Sequence, residues 1–442
     1  MQYPWASVRY WQPFRIDALG LITLLGAEDI NVWVGRLSQS KFTEYMPFLA
    51  GFIIAGDRFR IPNQSFHLYN ITKGVYTHEL AAWFTRWVQC QKFETTRSIV
   101  NWEVISTPRQ RIHETALAAL LAAVLLGFPL ALTILSGDFY GLANALALVV
   151  MVMGRAYMIH LNRRAIDRSI LRLAPSAAAK SSKTIVVTPN SKVVTMFIPS
   201  ELIVPVFARN PQVTPAKGYE CAQWISWAAF AVHVVALGMA CLATQIYTVV
   251  LIIGSSILLC HGWGCDDVVD LRRRRDSDGN VVRRAYTCLI GSRLKATVFE
   301  WPADFEFRQL SPKSWALRGS SNNPALEDER SARRMDLYAW LDLSNEEEHS
   351  LVKWDLIPHH RNGDGSWDTE FKAKQKLIRE LQPSILQIMD DAINHRNNNN
   401  QRREKLASDC EAIIEIKDSG SVKQCETQTH QRPSSGVSAE AV

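Results

Sequence analysis

TALAALLAAVLLGFPLALTILSG, residues Thr115–Gly137, runs for 23 residues without Asp, Glu, Lys, Arg or His. About 20 such residues wound as a helix cross a hydrocarbon core of about 30 Å. A helix on the surface of a water-soluble domain keeps a polar stripe, and this stretch has none. Pro129 fits a membrane helix, because neighbouring helices re-satisfy the carbonyl that a proline frees. The run is therefore a first membrane span. Asp138 follows, and Phe139–Ile159 supplies a second span. Only Arg155 interrupts it, and its long side chain is expected to snorkel to the interface. The connection SGDFYG (136–141) is short and turn-like, so the two spans form a hairpin.

Cys221 to Cys265 is a second charge-poor stretch, 45 residues with no Asp, Glu, Lys or Arg. One helix of that length would reach about 67 Å, twice the bilayer core. It is read as two spans, Ala222–Leu242 and Gln245–Trp263, turning at Ala243–Gln245, with a re-entrant pair as the alternative. The fold class is thus an α-helical integral membrane protein with four transmembrane helices in two hairpins and an α+β cytosolic portion. Averaged over its 442 residues the chain looks soluble, at 47% hydrophobic, 21% charged and a net charge of +6. That average excludes a collagen-like chain, a wholly disordered chain and a small disulfide scaffold. It hides the clustering of the apolar residues.

Positive charge marks the cytosolic side of span ends. Arg155–Glu220 holds ten Lys or Arg against three acidic residues, with Arg163, Arg164, Arg168 and Arg172 directly after the second span. Arg272, Arg273, Arg274 and Arg275 follow the fourth, and Arg97, Arg109 and Arg111 precede the first, whereas the two short connections carry no cation. The N-terminus, central loop and C-terminus are all expected in the cytosol. The start, MQYPWASVRYW, has no secretory-signal pattern. The sequons at Asn63 and Asn70 should then be unmodified, and the eight cysteines mostly free thiols.

The division that follows is a cytosolic N-terminal region (1–110), a transmembrane hairpin (115–160), a basic cytosolic loop (161–220), a second hairpin (221–263), cytosolic strands then helices (264–395) and a disordered tail (396–442). In the first region, MPFLAGFIIAG (46–56) is too short to span. HELAAWFTRWVQCQKF (78–93) is amphipathic, with Leu80, Trp83, Phe84, Trp87 and Val88 at helical spacing. It suits either a cytosolic core or the headgroup region. KTIVVTPNSKVVTMFIP (183–199) reads as a β-hairpin, and NVVRRAYTCLIGSRLKATVFEW (280–301) as strands broken at Gly291. One shared sheet is expected to hold both. Helices follow at 331–341, from Ser344 with Glu347 closing a capping box, and at 367–381, with a continuation to 394 beyond Pro383.

The 183–199 hairpin after a basic loop, the pair around WISWAAFAVHVVALGMACLATQIYTVV and the segment RMDLYAWLDLSNEEEHSLVKWDLIP together resemble a group of multi-pass membrane proteins of filamentous fungi. The likeness covers roughly residues 115–370. It implies a membrane location and carries over no site residue.

Candidate chemistry is sparse. CHGWGCDD (260–267) offers Cys260, His261, Cys265 and Asp266 as candidate metal ligands, without the second ligand pair of a metal ribbon. Cys260 and Cys265 are also candidate acylation sites beside the membrane. His233, midway along the third span, and Asn144, in the second, are the intramembrane polar pair. They fit either an ion path or a hydrogen bond across the bundle. Ala229, Ala236, Gly238 and Ala240 permit close helix approach. The Arg clusters at 163–172 and 272–275 fit anionic lipid headgroups or topogenic charge. Phosphate-binding, hydrolase, kinase and zinc-protease motifs are absent from the sequence, so no cofactor and no nucleic-acid partner is expected. The leading functional expectation is a non-enzymatic membrane scaffold or accessory protein, as an oligomer or with other membrane proteins. A small channel or transporter using His233 and Asn144, or a membrane-associated enzyme with a cytosolic site, are the alternatives.

Overall fold

The structure is a computed structural model that describes residues 4–11, 13, 27–37, 41–47, 59–62, 64–105, 112–173, 181–261, 284–288, 293–300, 305–311, 314–319, 333–358 and 367–380. It separates into two units, 1–375 and 376–442. In the second, only residues 376–380 are described, and they are helical.

Four helices dominate it: α5 (Ile112–Ser136), α6 (Phe139–Leu173), α7 (Ala216–Met239) and α8 (Leu242–Cys260). All four are long and apolar enough to cross a membrane. The turn within 221–265 falls at Ala240 and Cys241, not at Ala243–Gln245, so both helices sit a few residues earlier than the sequence suggested. The α7 start is displaced most. It begins at Ala216, just after Pro215, whose fixed φ suits the position before the first turn. The second span does not stop at Ile159 either. As one helix of 35 residues, about 52 Å, α6 carries its chain well past a hydrocarbon core.

Shorter elements surround them: α1 (Ala6–Tyr10), α2 (Ala27–Gly35), α3 (Lys41–Glu44), α4 (Ala82–Cys90), a π-helical turn (Ile203–Ala208), α9 (Arg334–Trp340) and α10 (Asn345–Lys353). The strands are β1 (His67–Asn70), β2 (Val75–Thr77), β3 (Ser98–Val104), β4 (Ser181–Val187), β5 (Val193–Pro199), β6 (Arg284–Cys288), β7 (Leu294–Glu300), β8 (Phe305–Ser311) and β9 (Ser314–Gly319).

β1 to β7 form one sheet in the order β2-β1-β4-β5-β3-β7-β6, and β8 pairs with β9 separately. Both expected hairpins, β4–β5 and β6–β7, are present in it. They do not touch. β3 lies between them, parallel to β5 and antiparallel to β7. Alternation assigns the two faces. Leu68, Val100, Val186, Val194, Met196 and Val298 enter one core, while Ile99, Ile185 and Val193 enter the other. The second face is covered by α9, α10 and helical residues before 376.

The first face receives the extension of α6 through Met158, Ile159, Leu161, Ile166 and Ile170. It also receives α4, which is buried on nearly all sides. Trp83, Phe84, Trp87, Trp102 and Phe207 interlock there, with Trp87 and Trp102 centroids 4.8 Å apart. The Trp83 indole donates to the Val206 carbonyl at 2.9 Å. The amphipathic segment is therefore core, and the headgroup alternative does not hold for it. Large aromatic area drives that burial.

The capping box at Ser344 forms as read. Its Glu347 also pairs with Lys183 at 3.0 Å and accepts from Thr72, tying α10 to the sheet. Asn70 is 3% exposed in β1, so the fold leaves no room for a glycan on that sequon. MPFLAGFIIAG (46–56) lies almost wholly outside the described residues, as do the continuation to 394 and the tail.

Candidate functional site: the apolar helices and their polar interior

The four helices are apolar outside and polar inside. Leu117, Leu120, Val124, Phe128, Ile134, Leu146, Val150, Met153, Val232, Val235, Met239, Val250 and Ile257 are exposed. Asn144, Ser226, His233, Thr244, Thr248, Ser255 and Ser256 are buried. In water that arrangement costs free energy on both counts.

Antiparallel packing of α6 on α7 sets the interior geometry. Gly154 makes the approach possible. A Cβ there would collide with Ser226 Oγ and lie 3.8 Å from the Ala222 carbonyl. Ten positions along α6, Asn144 faces His233. The His233 Nδ1 is 2.6 Å from Asn144 Oδ1, and Asn144 Nδ2 donates to Thr248 Oγ1 at 3.0 Å. With the amide oxygen turned towards the imidazole, Nδ1 is the donor, because an amide oxygen only accepts. The chain of three groups links α6, α7 and α8 as a hydrogen-bonded clamp. The structure thus brings His233 and Asn144 together and adds Thr248, which nothing in the sequence singled out.

A second clamp lies at the α5–α6 turn. Asp138, 5% exposed, accepts from the Gly141 N–H at 2.9 Å, the Cys241 N–H at 2.9 Å and Thr244 Oγ1 at 3.0 Å. One carboxylate therefore caps the starts of both α6 and α8, where unpaired N–H groups and the dipole favour an anion. Gly141 gives it room, since a Cβ there would collide with Asp138 Oδ2. Pro129 is accommodated similarly. Its missing N–H frees the Leu125 carbonyl, and Tyr247 Oη of α8 donates to that carbonyl at 3.1 Å.

The arginines divide. Arg155 does not snorkel. It is fully buried and donates to the carbonyls of Thr43 at 3.2 Å and Met46 at 2.7 Å, as well as to that of Glu44. Arg163 is no lipid-facing cation either. It pairs with buried Glu44 and donates to the Leu37 carbonyl at 2.8 Å. Carbonyls at the end of the short α3, with the Glu44 carboxylate, offset the desolvation that snorkelling would otherwise avoid. Arg168 bonds Thr214, while Arg164 and Arg172 are exposed. No sequence period marks α3 as their partner, because Glu44 lies more than a hundred residues away.

Cys260 and His261 end α8, and Cys260 packs against the sheet-side core. Cys265, Asp266 and Arg272–Arg275 lie outside the described residues. Among the described residues, no three His, Cys, Asp or Glu side chains are grouped to hold a metal. At the sheet edge, His67, Tyr69, Tyr76 and Trp354 form a ring ladder. Tyr69 and Tyr76 centroids are 5.0 Å apart, Tyr69 and Trp354 5.3 Å, and Tyr76 is exposed on the three-residue edge strand β2. Burial, with Tyr76 alongside, raises the Tyr69 phenol above its ordinary value, and Arg334 partly offsets this. Comparison with known proteins finds no family model, no curated protein and no solved structure that matches the chain.

Proposed function

We propose that the chain is an integral membrane protein whose four long helices cross a bilayer as two hairpins. Its sheet-bearing segments and C-terminal region occupy the cytosol, where it works as a non-enzymatic scaffold or accessory protein. The observation that carries the reading is the composition of the sheet. Strands preceding α5, strands between α6 and α7, and strands beyond α8 are hydrogen-bonded into one sheet. Neighbouring strands lie about 4.8 Å apart, so all three segments share one side of any bilayer the helices cross. Each helix pair then leaves and returns. The apolar exterior and hydrogen-bonded polar interior support insertion. The excess of cations in 155–220 and 272–275 supports a cytosolic assignment for the shared side.

Exposed Arg164, a few residues past the end of the apolar half of α6, suits anionic headgroups, and the likeness to fungal multi-pass proteins belongs to the same reading. The ring ladder at β2 is the surface that supports a scaffold role, being an aromatic patch on an open sheet edge. Alkaline carbonate should leave the full chain in the membrane pellet and detergent should release it. Recovery in the carbonate supernatant refutes the membrane reading. Capture in mild detergent should retain a defined partner that Tyr76→Ala loses, and identical profiles refute the edge as the working surface.

A further inference from the structure

Strand β2 ends the seven-stranded sheet, so its outer side is an open edge. The alternation of hydrogen bonds tells which residue that edge offers. The Ile71 N–H donates to the Lys183 carbonyl at 2.9 Å, continuing the β1–β4 register in which Tyr69 faces Ile185. Bonded and non-bonded pairs alternate along an antiparallel ladder, so Tyr69 turns its N–H and carbonyl towards β4. Leu68 and Asn70 turn theirs towards β2, where they face Thr77 and Val75. Tyr76, opposite Tyr69, therefore directs its N–H and carbonyl to the outer side. No described strand takes them up.

A second copy of β2 fits this edge. Antiparallel pairing about a two-fold axis at Tyr76 gives two reciprocal hydrogen bonds, each Tyr76 N–H donating to the other copy's Tyr76 carbonyl. A one-residue slip would set Tyr76 against Val75, whose own polar groups face β1. The register centred on Tyr76 places Val75 opposite Thr77 and brings Lys73 level with Glu79 on both sides of the axis. Lys73 and Glu79 are exposed and opposite in charge, so the edge is complementary to itself. The rings agree. Tyr76 is 42% exposed and shares a sheet face with Tyr69, 5.0 Å away between centroids. Across the axis the two Tyr76 rings become neighbours on that face, which joins the two ring ladders into one row.

We propose that β2 is a self-association edge, through which two copies of the chain pair antiparallel at Tyr76 into one continuous sheet. The proposal rests on the scaffold reading above and names the occupant of that edge. The two-fold axis of such a pairing is perpendicular to the sheet, so each face keeps its side in both copies. The face that receives the α6 extension is then on one side of the joined sheet, as two copies in a single bilayer require.

Cysteine pairs in full-length chains test the register. Differently tagged chains are co-expressed and their membranes oxidised with copper phenanthroline. Val75→Cys beside Thr77→Cys should give a disulfide-linked heterodimer, because facing non-bonded residues lie about 4.5 Å apart between Cα atoms. Val75→Cys beside Val75→Cys meets only diagonally, at about 7–8 Å, and should link little, as should the unsubstituted chains. Equal linking in all three combinations, or none in any, overturns the proposal. Charge reversal is the second measurement. Lys73→Glu should weaken co-capture of the second tag in mild detergent about threefold to tenfold, since an exposed ion pair is lost on each side of the axis. Adding Glu79→Lys to the same chain should restore it, and co-capture indifferent to Lys73→Glu overturns the pairing. Capture of a different protein that Tyr76→Ala releases, with no second copy, overturns self-pairing and leaves the scaffold reading standing. Loss of the second copy and of every other Tyr76-dependent partner overturns both.

Discussion

Tyr247 and Pro129 form a pair whose coupling has a calculable sign. Pro129 lacks an N–H, so the Leu125 carbonyl has no helical donor, and the Tyr247 hydroxyl supplies one at 3.1 Å. The Tyr247 ring also packs on Phe128, with centroids 4.9 Å apart. Tyr247→Phe keeps the ring contact and removes only the donor. Hydrogen bonds between membrane helices average about 0.6 kcal/mol and reach about 1.7 kcal/mol. A buried carbonyl left without a partner costs about 1–3 kcal/mol. Because Tyr247 is half-buried, the expected loss is about 1–1.5 kcal/mol. Pro129→Ala restores a backbone donor to Leu125, which makes the phenol redundant. In that background Tyr247→Phe should cost no more than about 0.3 kcal/mol, giving a coupling of about 1 kcal/mol. Reversible unfolding of the full chain in mixed lipid–detergent micelles, titrated with dodecyl sulfate and followed by Trp fluorescence, measures all four corners. Equal costs in the two backgrounds would refute the account of how the proline is tolerated.

The same assay addresses three further positions. Asp138→Ala orphans the Gly141 and Cys241 N–H groups and removes an anion from two helix starts, and should cost about 3–6 kcal/mol; a loss under about 1 kcal/mol contradicts the clamp. Gly154→Ala should cost about 1–3 kcal/mol through its clash with Ser226 Oγ. Ser226→Ala, which deletes a buried hydroxyl without a partner among the described residues, should restore most of it, and failure of that rescue points to a different contact. Burial pushes the Tyr338 phenol up to about 12, with Arg334 opposing and Tyr69 adding slightly. The unfolded phenol ionises near 10, so the unfolded state loses its proton first and stability falls as pH rises from about 10 to about 12, by up to about 3 kcal/mol. Tyr338→Phe should flatten that alkaline loss and raise stability at neutral pH by about 1 kcal/mol, since the hydroxyl has no partner among the described residues. Parallel pH profiles for the two proteins would contradict this.

The sequence by itself determined the local structure. Charge-free runs long enough to span a membrane located α5 and the apolar half of α6, because a helix on the surface of a water-soluble domain keeps a polar stripe that these runs lack. β-branched runs around Pro189–Ser191 located β4 and β5, and the Ser344–Glu347 spacing located the start of α10, because turns and caps act within a few residues. The Ala240–Cys241 turn was misplaced because its signal is not local. It is capped by Asp138 from another helix pair, with no Gly or Pro to announce it.

What only the tertiary structure decided is which segments meet. β1 and β3 carry no distinctive pattern, yet β3 joins the two hairpins into one sheet, and that sheet draws strands from three distant segments together. Arg155 and Arg163 read as interfacial cations by type and position. Their burial depends on Glu44 and on carbonyls more than a hundred residues away, which no periodicity can report. The place of α1 follows the same rule. Two hydrogen bonds hold it at the C-terminal end of α5, and nothing local in its sequence names that partner.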